Sequence, residues 1–452
     1  MNQTKITIYF ISTAVVLALV AFIFAPTRIT PDAFLEQGEE FFPEFTDPNS
    51  ATSLEVITFD NATGTAIPFK VSFSSGRWTI PSHNDYPADG KERLAKTAAG
   101  IIDLKKDDFR TDNVSEHEIC GVLDPLDETA SIEGRGQRVT VKGKGGGALA
   151  DIIFGNNIEG RQNLRFVRLP DQKRVYAARV DIDISTKFSD WIDTDLLKIM
   201  KGRIEKIVIK DYSINERTGS VSHRDILTLA KSDNQWTTNK IGSGNIIDTL
   251  KMKALLTALD SLSIVGVRKK PAGLSTQLKS IGKTSMSNAD LRSLQSKGYY
   301  VSRDGQLLSN EGELEFKTAD GVNYTLRFGE IVYASGMALT SGSGEGDDSS
   351  TKSAIAENRY LFITTAFDKN YFPRPKKHSD TSFVEVADSL LTSRQKEDKV
   401  LYTAYKIWED DISRGEKRTL QMNDRFSEWY YVISSESYDK IHLNRGDLIT
   451  KK

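Results

Sequence analysis

The chain opens on a run of 20 residues without a charge, Ile6 to Ala25 (ITIYFISTAVVLALVAFIFA), and then changes character. At about 1.5 Å of rise per residue the run reaches about 30 Å, the hydrocarbon thickness of a bilayer. Backbone groups inside lipid must bond to one another, so the run predicts a single membrane-spanning helix. It is longer than the apolar part of a usual cleaved leader, it has no small residue two places before Ala25, and Pro26 follows. All three features oppose cleavage. Lys5 and the α-amine flank the short side; Arg28 and then Asp32, Glu36, Glu39 and Glu40 flank the other. The short tail predicts a cytoplasmic N-terminus and a body outside the cytoplasm.

After the anchor, Thr30-Pro31-Asp32 reads as a helix start, with Thr as cap, Pro in the first turn and an acid at the positive dipole end. Phe34, Leu35, Phe41 and Phe42 continue at helical spacing until Pro43.

From residue 51 onward the pattern is written twice. Leu54–Phe59 and Ile204–Ile209 are short strands, each followed by a polar turn and a second strand. The second strand carries Phe69, Val71 and Phe73 in the first copy, and Leu227 and Leu229 in the second. Each copy then reaches a turn and a tryptophan, Gly76-Arg77-Trp78 and Asn234-Gln235-Trp236. A helix follows in both, lined by Leu94, Ala98, Ile101 and Ile102, or by Leu250, Leu255, Leu259 and Leu262. The later strands match in order: Arg138–Lys142 with Glu313–Lys317, Ala150–Phe154 with Tyr324–Phe328, Leu164–Val167 with Tyr360–Ile363, and Arg174–Ala178 with Trp429–Ile433. Each copy closes on a short helical segment. The pattern predicts an α+β fold: an N-terminal transmembrane helix, then two tandem related modules, each a mostly antiparallel sheet with a packed helix. The expected boundaries are 1–25 for tail and anchor, 26–50 for a juxtamembrane segment, 51–200 for the first module and 201–452 for the second.

Two insertions interrupt the second copy. A Gly/Ser/Asp-rich stretch near 337–356 reads as a flexible loop. The segment near 373–418 begins extended at Pro373–Lys377 and then reads as helix over Val384–Leu391 and Arg394–Ile412. From Ser393 to Arg418, 13 of 26 residues are charged, around an apolar stripe of Val400, Leu401, Ala404, Tyr405, Ile407, Trp408 and Ile412. A charged helix of this kind can reach a partner or cover an ordinary packed face.

Composition narrows the function. Lys+Arg 60 against Asp+Glu 62 gives a net charge of −2, so there is no electrostatic case for nucleic acid. Cys120 is the single cysteine, which excludes an internal disulfide and any multi-cysteine metal site. The five histidines, His83, His117, His223, His378 and His442, show no metal-ligand spacing. His117 and Cys120 lie three apart, and His83 and Asp85 sit in the strand-to-helix loop with Asp89; turn and cap chemistry accounts for the loop. Gly143-Lys144-Gly145-Gly146-Gly147 lacks the order of a phosphate loop and reads as a hairpin turn. No nucleophile elbow or dinucleotide fingerprint occurs. No residue is therefore assigned a catalytic, cofactor-binding or metal role, no cofactor is expected, and the chain is read as not an enzyme.

The chain resembles the bacterial domain-of-unknown-function 4340 family. The residues that carry the resemblance are Gly76–Pro81, Asp85–Asp89, Gly121-Val122-Leu123-Asp124-Pro125, Phe154-Gly155 and Val175-Tyr176. The second copy has no counterpart of Gly121–Pro125. The resemblance implies a context beside gliding-type ABC-2 transport systems and supplies no catalytic residues. The expected function is a single-pass, membrane-anchored, extracytoplasmic, non-enzymatic accessory or scaffold protein of such a system. Its expected partners are the permease or auxiliary envelope subunits, and its place is the bacterial plasma membrane with the body periplasmic. Two alternatives stand beside it: a binding module for an envelope glycan, peptide or lipid, and a carboxylate-dependent hydrolase.

Overall fold

The computed structural model describes residues 11, 13–17, 36–215, 217–233, 235–238, 241–274, 286–342 and 356–452. The expected anchor over Ile6–Ala25 lies outside them except for Ile11 and Thr13–Leu17, which are helical and exposed. Among the described residues no helix is long and apolar enough to cross a membrane.

The chain alternates hydrophobic and polar positions over short runs, and strands dominate. They are β1 (Ala51–Asp60), β2 (Thr65–Ser74), β3 (Arg77–Ile80), β4 (Tyr86–Pro87), β5 (Asp108–Thr111), β6 (Gln137–Gly143), β7 (Ala148–Asn157), β8 (Leu164–Arg168) and β9 (Val175–Arg179). Then come β10 (Ile204–Asn215), β11 (Ser220–Ser232), β12 (Gln235–Thr238), β13 (Asn245–Ile247), β14 (Gly266–Lys269), β15 (Tyr299–Val301) and β16 (Leu307–Ser309). The last are β17 (Glu313–Thr318), β18 (Val322–Val332), β19 (Asn358–Phe367), β20 (Trp429–Ile433) and β21 (Ile449–Lys451). The helices used below are α1 (Lys91–Ile102), α2 (His117–Cys120), α3 (Thr249–Asp260), α4 (Asn288–Gln295), α5 (Gly336–Thr340) and α6 (Ser393–Ser427).

Two large sheets result. One has the order β4-β3-β2-β1-β6-β7-β8-β9-β5 and the other β12-β11-β10-β17-β18-β19-β20-β14. From β3 to β5 along the first, and throughout the second, the strands follow one scheme: β1 answers to β10, β6 to β17, β9 to β20 and β5 to β14. The fold is α+β with antiparallel pairing, as expected. By compactness, Met1–Lys70 with Lys91–Ile184 form one unit, and Val71–Gly90 with Ser185–Lys452 form the other.

In the first unit, Leu54 and Val56 of β1 pair with Val141 and Val139 of β6, and all four are fully buried. α1 turns Leu94, Ala98 and Ile101 inward, while Ile102 is half-buried. Gly143–Gly147 is the expected hairpin turn, with Gly145 and Gly146 at positive φ. The helix expected around Phe34–Phe42 does not form over the described part. Gly38 has φ +86°, and the backbone of Gly38, Glu39 and Phe41 bonds to Leu104 and Lys106 instead. Burial of Phe41 and Phe45 holds this stretch in place.

In the second unit, all five residues of β20 are buried, since helices cover both faces of the sheet. Tyr360, Phe362, Tyr430 and Val432 meet Leu294 of α4 and Tyr299 of β15. The missing counterpart of Gly121–Pro125 is explained here: α4 and the β15–β16 hairpin occupy that part of the chain order. The segment Val384–Leu391 is not one helix but two short 3-10 turns, Ser382–Glu385 and Asp388–Leu390.

Candidate functional site

α6 runs for 35 residues, beyond the expected end at Ile412 and through Gly415, to Ser427. It begins on a capping box in which the Thr392 hydroxyl accepts from the Gln395 N–H, and Gln395 returns the bond. Its two halves do different work.

The C-terminal half belongs to the core. Met422 and Phe426 are buried, and the Asn423 amide oxygen accepts from the Thr365 hydroxyl at 2.8 Å. Arg425 donates to the carbonyls of Leu196 and Asp195 at 3.1 and 3.0 Å. Gly415 permits the closest approach: a Cβ there would lie 2.1 Å from the Phe367 ring.

Among the described residues, the N-terminal half is tied down mainly on one face. The segment after Pro373 lies along it: the Trp408 indole donates to the Phe372 carbonyl at 3.1 Å, and the Arg374 guanidinium donates to the Tyr405 hydroxyl at 3.1 Å. Ser379 donates its backbone N–H and its hydroxyl to Asp398, holding that carboxyl below its usual range. On another face Val400, Ala404 and Ile407 follow one another at helical spacing beside Leu391 and border an open groove of about 550 Å³. Val400 is 69% exposed, Ile407 56% and Leu390 74%. Lys396, Lys399 and Asp388 rim the groove, with Lys399 paired to Asp388 at 2.5 Å. Val400 and Ile407, exposed side by side and rimmed by charge, make this face a candidate contact surface.

The other residues singled out from sequence are absorbed by the fold. His83 is 1% exposed. Its Nδ1 meets the Ser82 hydroxyl at 3.0 Å, its Nε2 meets the Thr340 hydroxyl at 2.9 Å, and its ring stacks on Phe188 at 4.5 Å. Burial, helped by the Arg268 charge, pushes its pKa down to about 4. Asn84 and Asp85 take positive φ, which turns the chain between β3 and β4. A neutral imidazole bonded on both nitrogens within a packed wall has no free edge for proton transfer. His117 and Cys120 are brought near in α2 but not as a nucleophile pair. The His117 Nε2–H donates to the Lys173 carbonyl at 2.8 Å, while Cys120 packs with Val122, Ile153 and Val175 and burial pushes its thiol up. Near 337–356, Ser341 and Gly342 follow α5, and 343–355 lie outside the described residues.

A polar recess of about 210 Å³ that no sequence motif marks is lined by Lys210, Asp211, Arg224, Glu311, Glu313 and His442. Its charges answer one another: Lys210 with Glu313 at 2.8 Å, Arg224 with Asp211 at 2.6 Å, Arg359 with Glu311 at 3.6 Å. The His442 Nε2–H donates to the Glu311 carbonyl at 2.9 Å. Such mutual pairing reads as structural. Among the described residues no group of three or more His, Cys, Asp or Glu is placed to hold a metal ion.

Residues 78–277 match the sequence profile described as Domain of unknown function (DUF4340). No curated protein and no solved structure matches the chain.

Proposed function

We propose, from the premise that residues 78–277 belong to the DUF4340 family, that this protein is a non-enzymatic accessory or scaffold component of the cell envelope. It is anchored by Ile6–Ala25 in the bacterial plasma membrane, with its N-terminus cytoplasmic and its body periplasmic. It holds a permease or auxiliary subunit of an ABC-2-type transport system by contact. Its body is a tandem duplication, a reading supported by the shared strand order of the two sheets.

The observation that carries the partner role is the apolar stripe on α6, which no described residue covers. Val400 and Ile407 stand 69% and 56% exposed on a helix whose C-terminal half buries Met422 and Phe426. A partner's apolar helix face laid along Leu391, Val400, Ala404 and Ile407 would bury them, with Lys396 at the rim for a partner carboxylate. Burying two such side chains is worth about 3 kcal/mol, or roughly a hundredfold in affinity.

The test is co-purification from native membranes in mild detergent, with mass spectrometry, for the full chain and for Val400→Glu/Ile407→Glu. Both positions are exposed, so stability should change by only about 0.5 kcal/mol. Transporter subunits recovered with the full chain and lost from the double variant support the proposal. Repeated recovery of the protein alone, or subunits retained by the variant, overturns it.

A further inference from the structure

A larger groove in the second unit lies elsewhere, where β11, β12, β13 and α3 meet the turn Lys201–Arg203. It has a volume of about 900 Å³, within the range of small-molecule sites, roughly 300–1,000 Å³. Its walls are apolar: Trp236 of β12, Ile246 and Ile247 of β13, and Met252 and Leu256 of α3. Ile246 is left 43% exposed. These side chains come from three separate elements; Met252 is buried, while Trp236, Ile247 and Leu256 are half-buried.

Lys201, Lys231 and Lys253 line the groove, and among the described residues no Asp or Glu does. The Lys231 ammonium donates to the Gly202 carbonyl at 3.0 Å, with Glu205 at 3.7 Å behind it, and the Lys201 ammonium donates to the Thr257 hydroxyl at 3.3 Å. Lys253, on the exposed side of α3, has no carboxylate partner among the described residues. The Thr238 hydroxyl, also in the lining, is buried with no hydrogen-bond partner among the described residues. Leaving a buried hydroxyl unpaired costs about 1–3 kcal/mol, which a ligand acceptor would recover.

From this arrangement we infer that the groove binds an anionic amphiphile: an acyl chain laid against Trp236, Ile246 and Leu256, with its carboxylate or phosphate head held by the lysines. Lysine suits such a head because its ammonium is a mobile point charge that does not demand a planar partner. An extended acidic peptide is the competing occupant. It would draw on the free edge of β12, which is only four residues long. The apolar wall, contributed mostly by β13 and α3, is suited to a flexible chain.

The experiment uses the full chain in a non-ionic amphipol and four probes: laurate, dodecyl phosphate, dodecanol and inorganic phosphate. Binding is read by calorimetry, and position by quenching of tryptophan fluorescence with a bromine-labelled undecanoate, for wild type and Trp236→Phe. Laurate or dodecyl phosphate should bind about tenfold or more tighter than dodecanol, one charge-assisted contact being worth that much. Comparing the two heads shows which source, fatty acid or phospholipid-like, fits better. Inorganic phosphate should not bind measurably. Quenching should fall in Trp236→Phe, and Lys201→Gln/Lys231→Gln/Lys253→Gln should keep dodecanol binding but lose the preference for the anion. Equal affinity for dodecanol, binding of inorganic phosphate alone, quenching unchanged in Trp236→Phe, or failure of both amphiphiles overturns the inference. So does an acidic peptide that binds while the amphiphiles do not. Unchanged dodecanol affinity in the lysine variant, with an unaltered thermal melt, shows that the variant is folded.

Discussion

His83 offers a direct test of how burial governs this fold. The imidazole is held neutral, with its pKa pushed down to about 4 in the folded chain against about 6.5 unfolded. Between those values the unfolded state binds the proton and the folded state does not, so stability is full above about pH 6.5 and falls as pH drops toward 4. The whole difference is about 3 kcal/mol, and by pH 5 about 2 kcal/mol of it should be gone. The perturbation is His83→Gln, which keeps a polar group near the Thr340 hydroxyl but cannot titrate. His442 is also pushed down by burial, and it titrates alike in both proteins, so the difference between them isolates His83. All five tryptophans, Trp78, Trp191, Trp236, Trp408 and Trp429, lie in the compact unit that holds His83. Urea titration followed by tryptophan fluorescence therefore reports that unit. Wild type should lose about 2 kcal/mol more than His83→Gln between pH 7.5 and pH 5. A difference between the two proteins that stays constant across that range would refute the reasoning.

Three further outcomes follow from close contacts. Gly415→Ala would place a methyl 2.1 Å from the Phe367 ring and 2.6 Å from the Asp320 carbonyl. It should therefore destabilise by about 1–3 kcal/mol despite the better helix propensity of Ala, and an unchanged urea midpoint would show that α6 can shift freely. Glu313→Ala removes a 5%-exposed carboxylate between Lys210 and Arg327 and should cost about 3 kcal/mol in the same assay. Glu315→Ala, at 33% exposure, should cost less than about 1 kcal/mol; equal costs would refute the role given to burial. Cys120, 1% exposed with its thiol pushed up by burial, should react with an aromatic disulfide reagent only after denaturation. Rapid reaction of the native protein would contradict its packing.

Much of the fold was legible because its strands alternate and its main helices carry clear apolar faces. β1, β6, β7 and α1 fall where Leu54, Val139, Ile152 and Leu94 place them. What escaped is short or non-local. β5 (Asp-Phe-Arg-Thr) and β14 (Gly-Val-Arg-Lys) end their respective sheets and are too short and too charged to show a period of two. The burial of His83 depends on Phe188 and Thr340, far away in sequence. The reach of α6 to Ser427 was hidden because Gly415 reads as a weak helix position, whereas its role is to let the helix approach Phe367. Of the binding features, the apolar stripe of α6 was visible in its spacing. The groove at Trp236 was not, since its lysines come from three separate stretches of chain.

Two sheets with one strand order give each strand two addresses during folding. A chain of this kind can exchange strands between its halves and trap misassembled states. The ladder facing β6 and β17 guards against this. Natively, Ile57 of β1 stands opposite Arg138, and Lys210 of β10 stands opposite Glu313. If β10 paired with β6 in the equivalent register, Lys210 would face Arg138, a like-charge pair. If β1 paired with β17, Ile57 would leave Glu313 without its lysine. Both errors are penalised at the same rung, so one charged position sorts the strands to their proper sheets.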